Sequence, residues 1–398
     1  MAAIVLGLAL LLFISKTFGT PQWCFTKKLE GWQAPSPSIL ASLSGTDRNA
    51  CAKKCGRNGS CTSFSYNEQM GECLLQSTLS FDQNAPPISS AGFSFFDLPL
   101  NTRQVLILGT RINETSIELF NIATSASRTT SLSLPWRRSL HYAALFEPDT
   151  VAIVGGVKDG DLEDPITNEV EFLNVTSGAI IAGPPIPSDA YISGGSAKLN
   201  NCLYICGGGQ SFFSLTESVS TCRKLCQAPY TSDFSWQTVA SLSFPRRRNC
   251  LVALNGYIYS VGGYDTAGNY LSLVERYNPS TDSWEMKSSL NTAREGAGVV
   301  AHEGKIYACG GYVDILLTSC ERYDPVLDTW TVVGSLNRAR HLDFPMVSAQ
   351  GKIYALGGWN PIDTTAYTTV EVYDPVLDVW AELNVLDSQR MFLAAVLL

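Results

Sequence analysis

From Gln104 onward the apolar residues come in short runs bounded by Gly, Asn, Asp and Pro, and the runs keep a common shape. Tyr257–Val261, Lys305–Cys309 and Lys352–Leu356 are five-residue segments, each ending directly on a glycine pair: Gly262-Gly263, Gly310-Gly311 and Gly357-Gly358. Runs of this length, rich in Ile, Val and Tyr, predict strands buried between neighbours. Eleven to fourteen residues after the first glycine comes Glu-x-Tyr-Asn/Asp-Pro, at 275–279, 321–325 and 371–375. Asp-x-Trp follows at Asp282/Trp284, Asp328/Trp330 and Asp378/Trp380, and an Arg lies ten residues beyond each Trp: Arg294, Arg340 and Arg390. Weaker copies centre on Gly207-Gly208 (with Trp236 and Arg246), Gly155-Gly156 and Gly109-Thr110. Successive pairs are 46, 52, 55, 48 and 47 residues apart. A period near ~50 with four strand-like segments per unit predicts a β-propeller.

Each residue type has a physical reason for its place. Paired glycines at a strand end accept positive φ and let another backbone come close. Tyr and Trp fill the wedge between radial sheets and carry polar tips that need partners. Asn/Asp-Pro followed by Ser-Thr-Asp or Val-Leu-Asp is turn chemistry between the third and fourth strands. These residues resemble the kelch repeat from about Gln104 to Leu398, which implies a mainly β, six-bladed kelch propeller. The phase of the repeat adds a closure. The propeller starts at Gln104–Leu108, a second strand, and the chain ends in 390–398, a first strand. The two halves complete one blade, leaving no open edge to the ring.

Upstream, Ile4–Ile14 is an apolar run of eleven residues followed by small ones near Gly19, too short to span a bilayer. It predicts a signal peptide over 1–19, hence a secreted, extracellular protein. Twelve cysteines and the sequons at Asn58, Asn113 and Asn174 agree with an oxidising, glycosylating compartment. Residues 20–97 read as a separate small module and 98–103 as a linker to the propeller at 104–398. Asp47 or Thr46 is placed to cap a helix carrying Cys51 and Cys55 on one face, with Cys61 and Cys73 on following strands. The spacing Cys51-x3-Cys55-x5-Cys61-x2-Phe64-x-Tyr66-x6-Cys73 resembles the PAN/apple domain. That resemblance implies a small α+β, disulfide-rich fold with Cys51–Cys73 and Cys55–Cys61 bridges.

In an antiparallel pair, opposed residues have position numbers with a constant sum. Cys206/Cys222 and Cys202/Cys226 share one such sum in the third blade, and Cys309/Cys320 stand at the places equivalent to Cys206/Cys222 in the fifth. Three disulfides within blades are expected on this register. Cys24 and Cys250 are left over, either to join the two domains or, for Cys250, to sit as a buried thiol in its strand.

The chemistry of catalysis is sparse. No Gly-Lys-Ser/Thr follows a glycine pair, no Gly-x-Ser-x-Gly turn occurs, and the histidines His141, His302 and His341 are isolated, each in or beside a first strand. Copper radical oxidases such as galactose oxidase share a kelch-like propeller and need two histidines and a cysteine-linked tyrosine. This chain has no Tyr-His dipeptide, and its histidines fall in separate blades. We therefore expect no enzyme, no cofactor and no metal; a degenerate secreted oxidase is the alternative. The net charge of −8 argues against nucleic acid or anionic membrane as a partner.

The expected function is extracellular recognition of a protein or glycan by a propeller face together with the apple module. Candidate contact residues are the repeated arginines Arg138, Arg246, Arg294, Arg340 and Arg390, with Arg247 and Arg248 beside them. The competing reading has each Arg pair with a repeat carboxylate such as Glu275, Glu321 or Glu371 and hold blades together. An intracellular kelch substrate adaptor is a third reading, opposed by the signal peptide.

Overall fold

The computed structural model describes the chain from 104 to 398, except 109–114, 147–148, 159–165, 188–191, 211–217, 228–233, 342–343, 361–364 and 390–392. Upstream of 104 it describes four strands only. The chain divides into two compact units, Met1–Thr102 and Arg103–Leu398.

In the N-terminal unit the four strands form one antiparallel sheet in the order Ile39–Leu43, Glu72–Gln76, Ser63–Asn67, Phe93–Asp97. The signal peptide, the capped helix, the two cysteine bridges of this module, Cys24, Asn58 and the linker at 98–103 lie outside the described residues, as does Asn113. Among the described residues no helix is long and apolar enough to cross a membrane.

The second unit is a ring of six four-stranded antiparallel sheets. Blade one combines the C-terminal strand Ala394–Leu397 with Gln104–Leu108, Ser116–Asn121 and Ala126–Ser133. Its register Ala394↔Leu108 to Leu397↔Val105 closes the ring, as the phase of the repeat predicts. Blades two to six have the first strands Tyr142–Phe146, Gly195–Leu199, Cys250–Leu254, Gly298–His302 and Met346–Ala349, and each continues outward through three further strands in sequence order.

The apolar core is split into wedges, one at each junction between neighbouring blades. Between blades four and five, for example, Tyr259 and Val274 pack against Ile306, Ala308, Tyr323 and Trp330. A flat sheet buried on both faces needs a neighbour on each side, which a closed ring supplies.

The repeat motifs turn out to be links from one blade to the next. Trp284, Trp330 and Trp380 each donate Nε1–H to a carbonyl of the preceding blade, at Ala240 (2.8 Å), Ser288 (2.9 Å) and Gly334 (2.9 Å). The Asp of Asp-x-Trp adopts positive φ (Asp282 47°, Asp328 52°, Asp378 57°), a region Asp tolerates better than most residues. Its Oδ1 accepts both the Tyr hydroxyl of its own blade, as Tyr323 to Asp328 at 2.6 Å, and a backbone N–H of the preceding blade, as Ser288 at 3.0 Å. The glycine pair serves the same junction. Gly311 N–H donates to the Arg340 carbonyl at 2.8 Å, and a Cβ on Gly310 would stand 2.7 Å from that oxygen.

Cys202–Cys226, Cys206–Cys222 and Cys309–Cys320 are disulfide-bonded, with Cα–Cα separations of 4.1, 4.2 and 4.1 Å across the second and third strands. Cys250 opens its strand, with Sγ 2.8 Å from the Ala297 carbonyl.

Candidate binding surface at the channel mouth

The repeated arginines lie behind the surface. Arg138, Arg246, Arg294 and Arg340 are 0–1% exposed and paired with Glu171, Glu275, Glu321 and Glu371 of the blade that follows each connector. Arg294 shows the whole arrangement. Its Nη2 meets Glu321 Oε1 at 2.8 Å, and its Nη1 donates to the Gly310 and Ser319 carbonyls at 2.7 and 2.9 Å. Glu321 in turn accepts the backbone N–H groups of Asn291 (2.7 Å) and Thr292 (3.0 Å) from the incoming connector. Burial lowers the guanidinium pKa of Arg294 and Arg340, against the pull of the partner carboxylate, yet arginine remains charged at neutral pH. A guanidinium so enclosed has no face to offer a partner. The expectation that these arginines form the contact surface is therefore corrected: they brace the blades. Arg247 is also buried, at 2% exposed, so it too is removed from the contact set. Arg390 lies outside the described residues; Glu118, in the equivalent register of blade one, is buried and accepts the Asp387 N–H at 2.6 Å.

The three residues after each brace carry the chain on to the next first strand, and most of them are themselves buried. The first bridges to the residue that follows a glycine pair: Ser139 to Val157, Arg247 to Tyr264, Glu295 to Tyr312 and His341 to Trp359. The second turns the chain with positive φ at Leu140 (53°), Ser193 (57°), Arg248 (50°) and Gly296 (57°). The third enters the central channel, as His141, Gly194, Asn249 and Ala297. Backbone geometry repeats here while residue identity does not, so the repeat displays different chemistry at equivalent places.

On blades four to six this chemistry is an aromatic and ionic patch. Tyr264, Tyr270, Tyr312 and His341 follow one another at centroid spacings of 5.2, 5.7 and 5.4 Å, and the three tyrosines are half-buried. Arg248 reaches Glu295 at 2.8 Å, and His341 Nε2 stands 3.3 Å from the same carboxylate oxygen. Burial pushes the Glu295 carboxyl up, but the His341 hydrogen bond and Arg248 outweigh it and hold it below its usual value. Burial likewise lowers His341, keeping the imidazole neutral. The trio is thus a cation, an anion and a neutral ring, with no net charge.

The repeated arginines mark the level of this surface in the sequence, and of the two residues beside them Arg248 stands in the patch while Arg247 is buried. Glu295, Tyr264, Tyr270, Tyr312, Ser193 and Asn249 were not singled out. The signal that finds them is departure from the repeat at a fixed distance after it. His141 and His341 were read as structural, and His302 is so, with Nδ1 2.8 Å from Ser348 Oγ. Among the described residues no three His, Cys, Asp or Glu side chains gather as metal ligands would.

The architecture defines a class, the closed six-bladed propeller that presents loops around its channel. Comparison with known proteins gives the type. The Kelch motif matches residues 245–291, 293–337 and 340–384, and the PAN domain matches 29–98. The chain carries Kelch repeats in a six-bladed propeller, with a PAN domain at its N-terminus. It is similar to Kelch-like protein 30 of Homo sapiens, 30% identical over 139 residues, 34% of this chain and 23% of that protein. It is also similar to the Kelch repeat and BTB domain-containing protein 12 of Danio rerio, 28% identical over 248 residues, 57% of this chain and 38% of that one. The chain therefore spans less than two-fifths of the length of these curated relatives.

Proposed function

We propose that the protein is a secreted, non-enzymatic recognition protein whose propeller binds an extracellular partner through the aromatic patch of blades four to six. The observation that carries this is the run Tyr264, Tyr270, Tyr312 and His341 beside the Arg248–Glu295 pair. Half-buried tyrosines are rigid, amphipathic anchors, and Tyr and Arg are the residues enriched where protein partners dock. The internally neutralised charge favours a partner read by shape and hydrogen bonds over one steered by strong charge. We favour a protein over a glycan at this patch. The PAN domain supplies a second contact, giving avidity where one partner spans both.

Secretion is supported by the N-terminal apolar run and by three disulfides in the propeller, which persist in oxidising compartments. Asn174 fits a glycan acceptor, lying in a turn where its Oδ1 accepts the Thr176 and Ser177 N–H groups.

The test is an interaction screen with the full chain recovered from culture medium, with Tyr270→Ala/Tyr312→Ala as the disrupted form. Val326→Ser/Leu327→Ser, at an exposed turn of blade five, is the control. The first double variant is expected to lose at least tenfold in affinity, about 1.4 kcal/mol, while the control binds normally. Equal binding by all three removes the patch from the proposal. Recovery of the chain only from cytosol, with Cys309 and Cys320 reduced, would replace secretion with the intracellular adaptor reading; stoichiometric copper on the purified protein would revive the oxidase.

A further inference from the structure

The tyrosines of the aromatic row differ from those of the repeat in what their hydroxyls do. Tyr277, Tyr323 and Tyr373 donate to Asp282, Asp328 and Asp378 at 2.7, 2.6 and 2.6 Å. The hydroxyls of Tyr264, Tyr270 and Tyr312 bond to none of the described residues, and they are open to solvent. The rings that carry them are fixed. The buried Arg247 guanidinium stands 5.7 Å from the Tyr264 centroid, and Tyr312 packs on the buried His341 ring. The turn between Tyr264 and Tyr270 is held by Asp265, whose carboxylate accepts the Ala267 and Asn269 N–H groups at 2.9 and 2.8 Å. Half-buried rings with open hydroxyls offer a partner both apolar contact and hydrogen-bond donors, at little further ordering cost.

The surroundings decide what backbone that partner presents. Strand addition needs unpaired backbone groups. Here Arg247 and Tyr264, Glu295 and Tyr312, and His341 and Trp359 each exchange both N–H···O bonds with one another. A helix has few carbonyls to offer, because its own turns consume them. An acidic motif needs a cluster of available guanidinium groups, whereas Arg247 is buried and Arg248 is neutralised by Glu295. A polyproline II segment meets every condition. It has no internal hydrogen bonds, so its carbonyls are open acceptors, and its prolyl rings are apolar and uncharged. Successive rings of the row are tilted by 59°, 68° and 36°, giving ridges and slots for prolyl rings and not one flat platform for a sugar. With centroid steps of 5.2, 5.7 and 5.4 Å and ~3.1 Å of rise per residue, about five such residues cover the row.

We propose that the aromatic row receives a proline-rich segment in the polyproline II conformation, the tyrosine hydroxyls donating to its carbonyls. This rests on the reading of the row as a partner site and specifies the partner's class.

The full chain is captured on a surface, and binding of four neutral probes is followed by surface plasmon resonance. The probes are decaproline, a Pro-Pro-Ala repeat peptide, a Gly-Ser peptide of equal length, and maltohexaose. The two proline-rich peptides are expected to bind, with no response from the Gly-Ser peptide or the sugar. Tyr270→Ala/Tyr312→Ala should weaken their binding about tenfold or more. Tyr270→Phe/Tyr312→Phe keeps the rings and removes two donors, and should cost about threefold or more. Val326→Ser/Leu327→Ser should bind as the unmodified chain does. Absence of binding by both proline peptides, equal binding by the Gly-Ser peptide or by maltohexaose, or full affinity in the Phe pair would overturn the assignment. In any of those cases, a partner from the medium screen that still depends on Tyr270 and Tyr312 leaves the site standing and changes only its class of ligand.

Discussion

Blade three and blades four to six solve the same assembly problem with different bonds. Blades four, five and six each carry a buried glutamate on the third strand that receives the brace arginine of the incoming connector. In blade three that register position, opposite Ile205, is Arg223, and the position of the repeat tyrosine is Leu225. Two disulfides cross its middle strands instead, where blade five has one. Its junction with blade two is filled by Phe234, stacked on Phe172 at 4.0 Å and edge-on to Phe146 at 5.1 Å. The Trp link of the repeat is kept, Trp236 Nε1 to the Pro184 carbonyl at 2.9 Å, and Gly194 N–H adds a bond to the Tyr142 hydroxyl at 3.0 Å. A degenerate repeat is thus not a weak blade. Ion pairs and shared hydrogen bonds tie blade to blade, whereas disulfides tie strand to strand within one blade.

The sharpest way to break this comparison is at a brace. Arg294→Ala leaves Glu321 buried and unpaired, and losing one partner of a buried pair typically costs about 3–5 kcal/mol. Urea unfolding of the propeller should show a loss of that size. Arg294→Met/Glu321→Leu, which removes both charges, should recover most of it. Arg223→Ala in blade three, where no glutamate occupies the register, should cost far less. A loss for Arg223→Ala equal to that for Arg294→Ala would mean the two blades are held alike.

The disulfides come next. Cys202–Cys226 and Cys309–Cys320 close segments of 24 and 11 residues. On the chain-entropy account each contributes about 3 kcal/mol, somewhat more for the longer. Reduction should therefore weaken blade three more than blade five, because it loses two bridges and has no Glu-based brace to fall back on. Limited proteolysis under reductant is expected to cut first within 195–239. First cuts in 298–333 would show that the bridges matter equally in both places.

The contrast also explains what could be read from sequence. Ring closure was legible because Gln104–Leu108 and Ala394–Leu397 are out of phase by one strand, a fact of counting. The cysteine register was legible because opposed positions keep a constant sum across a pair. The arginines were legible as equivalent but not as buried. A long cation ten residues after a Trp reads the same whether it faces water or a carboxylate two strands away in the next sheet. The channel residues His141, Ser193 and Asn249 carried no repeat signal at all, since their shared property is a backbone position and not a residue type.

The smallest expected effect separates the two kinds of link by pH. Disulfides do not titrate in the acid range, but the buried histidines and the Asp–Tyr links do. Burial lowers His141, His302 and His341, and the first sits at about 3. A histidine with a folded pKa below the ordinary ~6.5 contributes stability that is full above ~6.5 and lost as pH falls, because the unfolded chain binds the proton first. For each histidine the slope is at most about 1.4 kcal/mol per pH unit. Asp282 is held down first by the Ala240 N–H, and Asp328 and Asp378 first by the Tyr323 and Tyr373 hydroxyls. Their share is intact above the ordinary carboxylate value of ~3.9 and goes only below it. Acid unfolding should therefore begin below about pH 6.5 with the histidines and steepen below about pH 4 with the aspartates. Glu171 opposes this slightly, since burial raises its carboxyl and protonation relieves it. His141→Phe should flatten the first stage and leave the second unchanged, whereas Tyr323→Phe should reduce the second alone. A profile flat from pH 7 to 4 in the unmodified chain would assign the acid response to the carboxylate links that join blades four to six and none of it to the channel histidine.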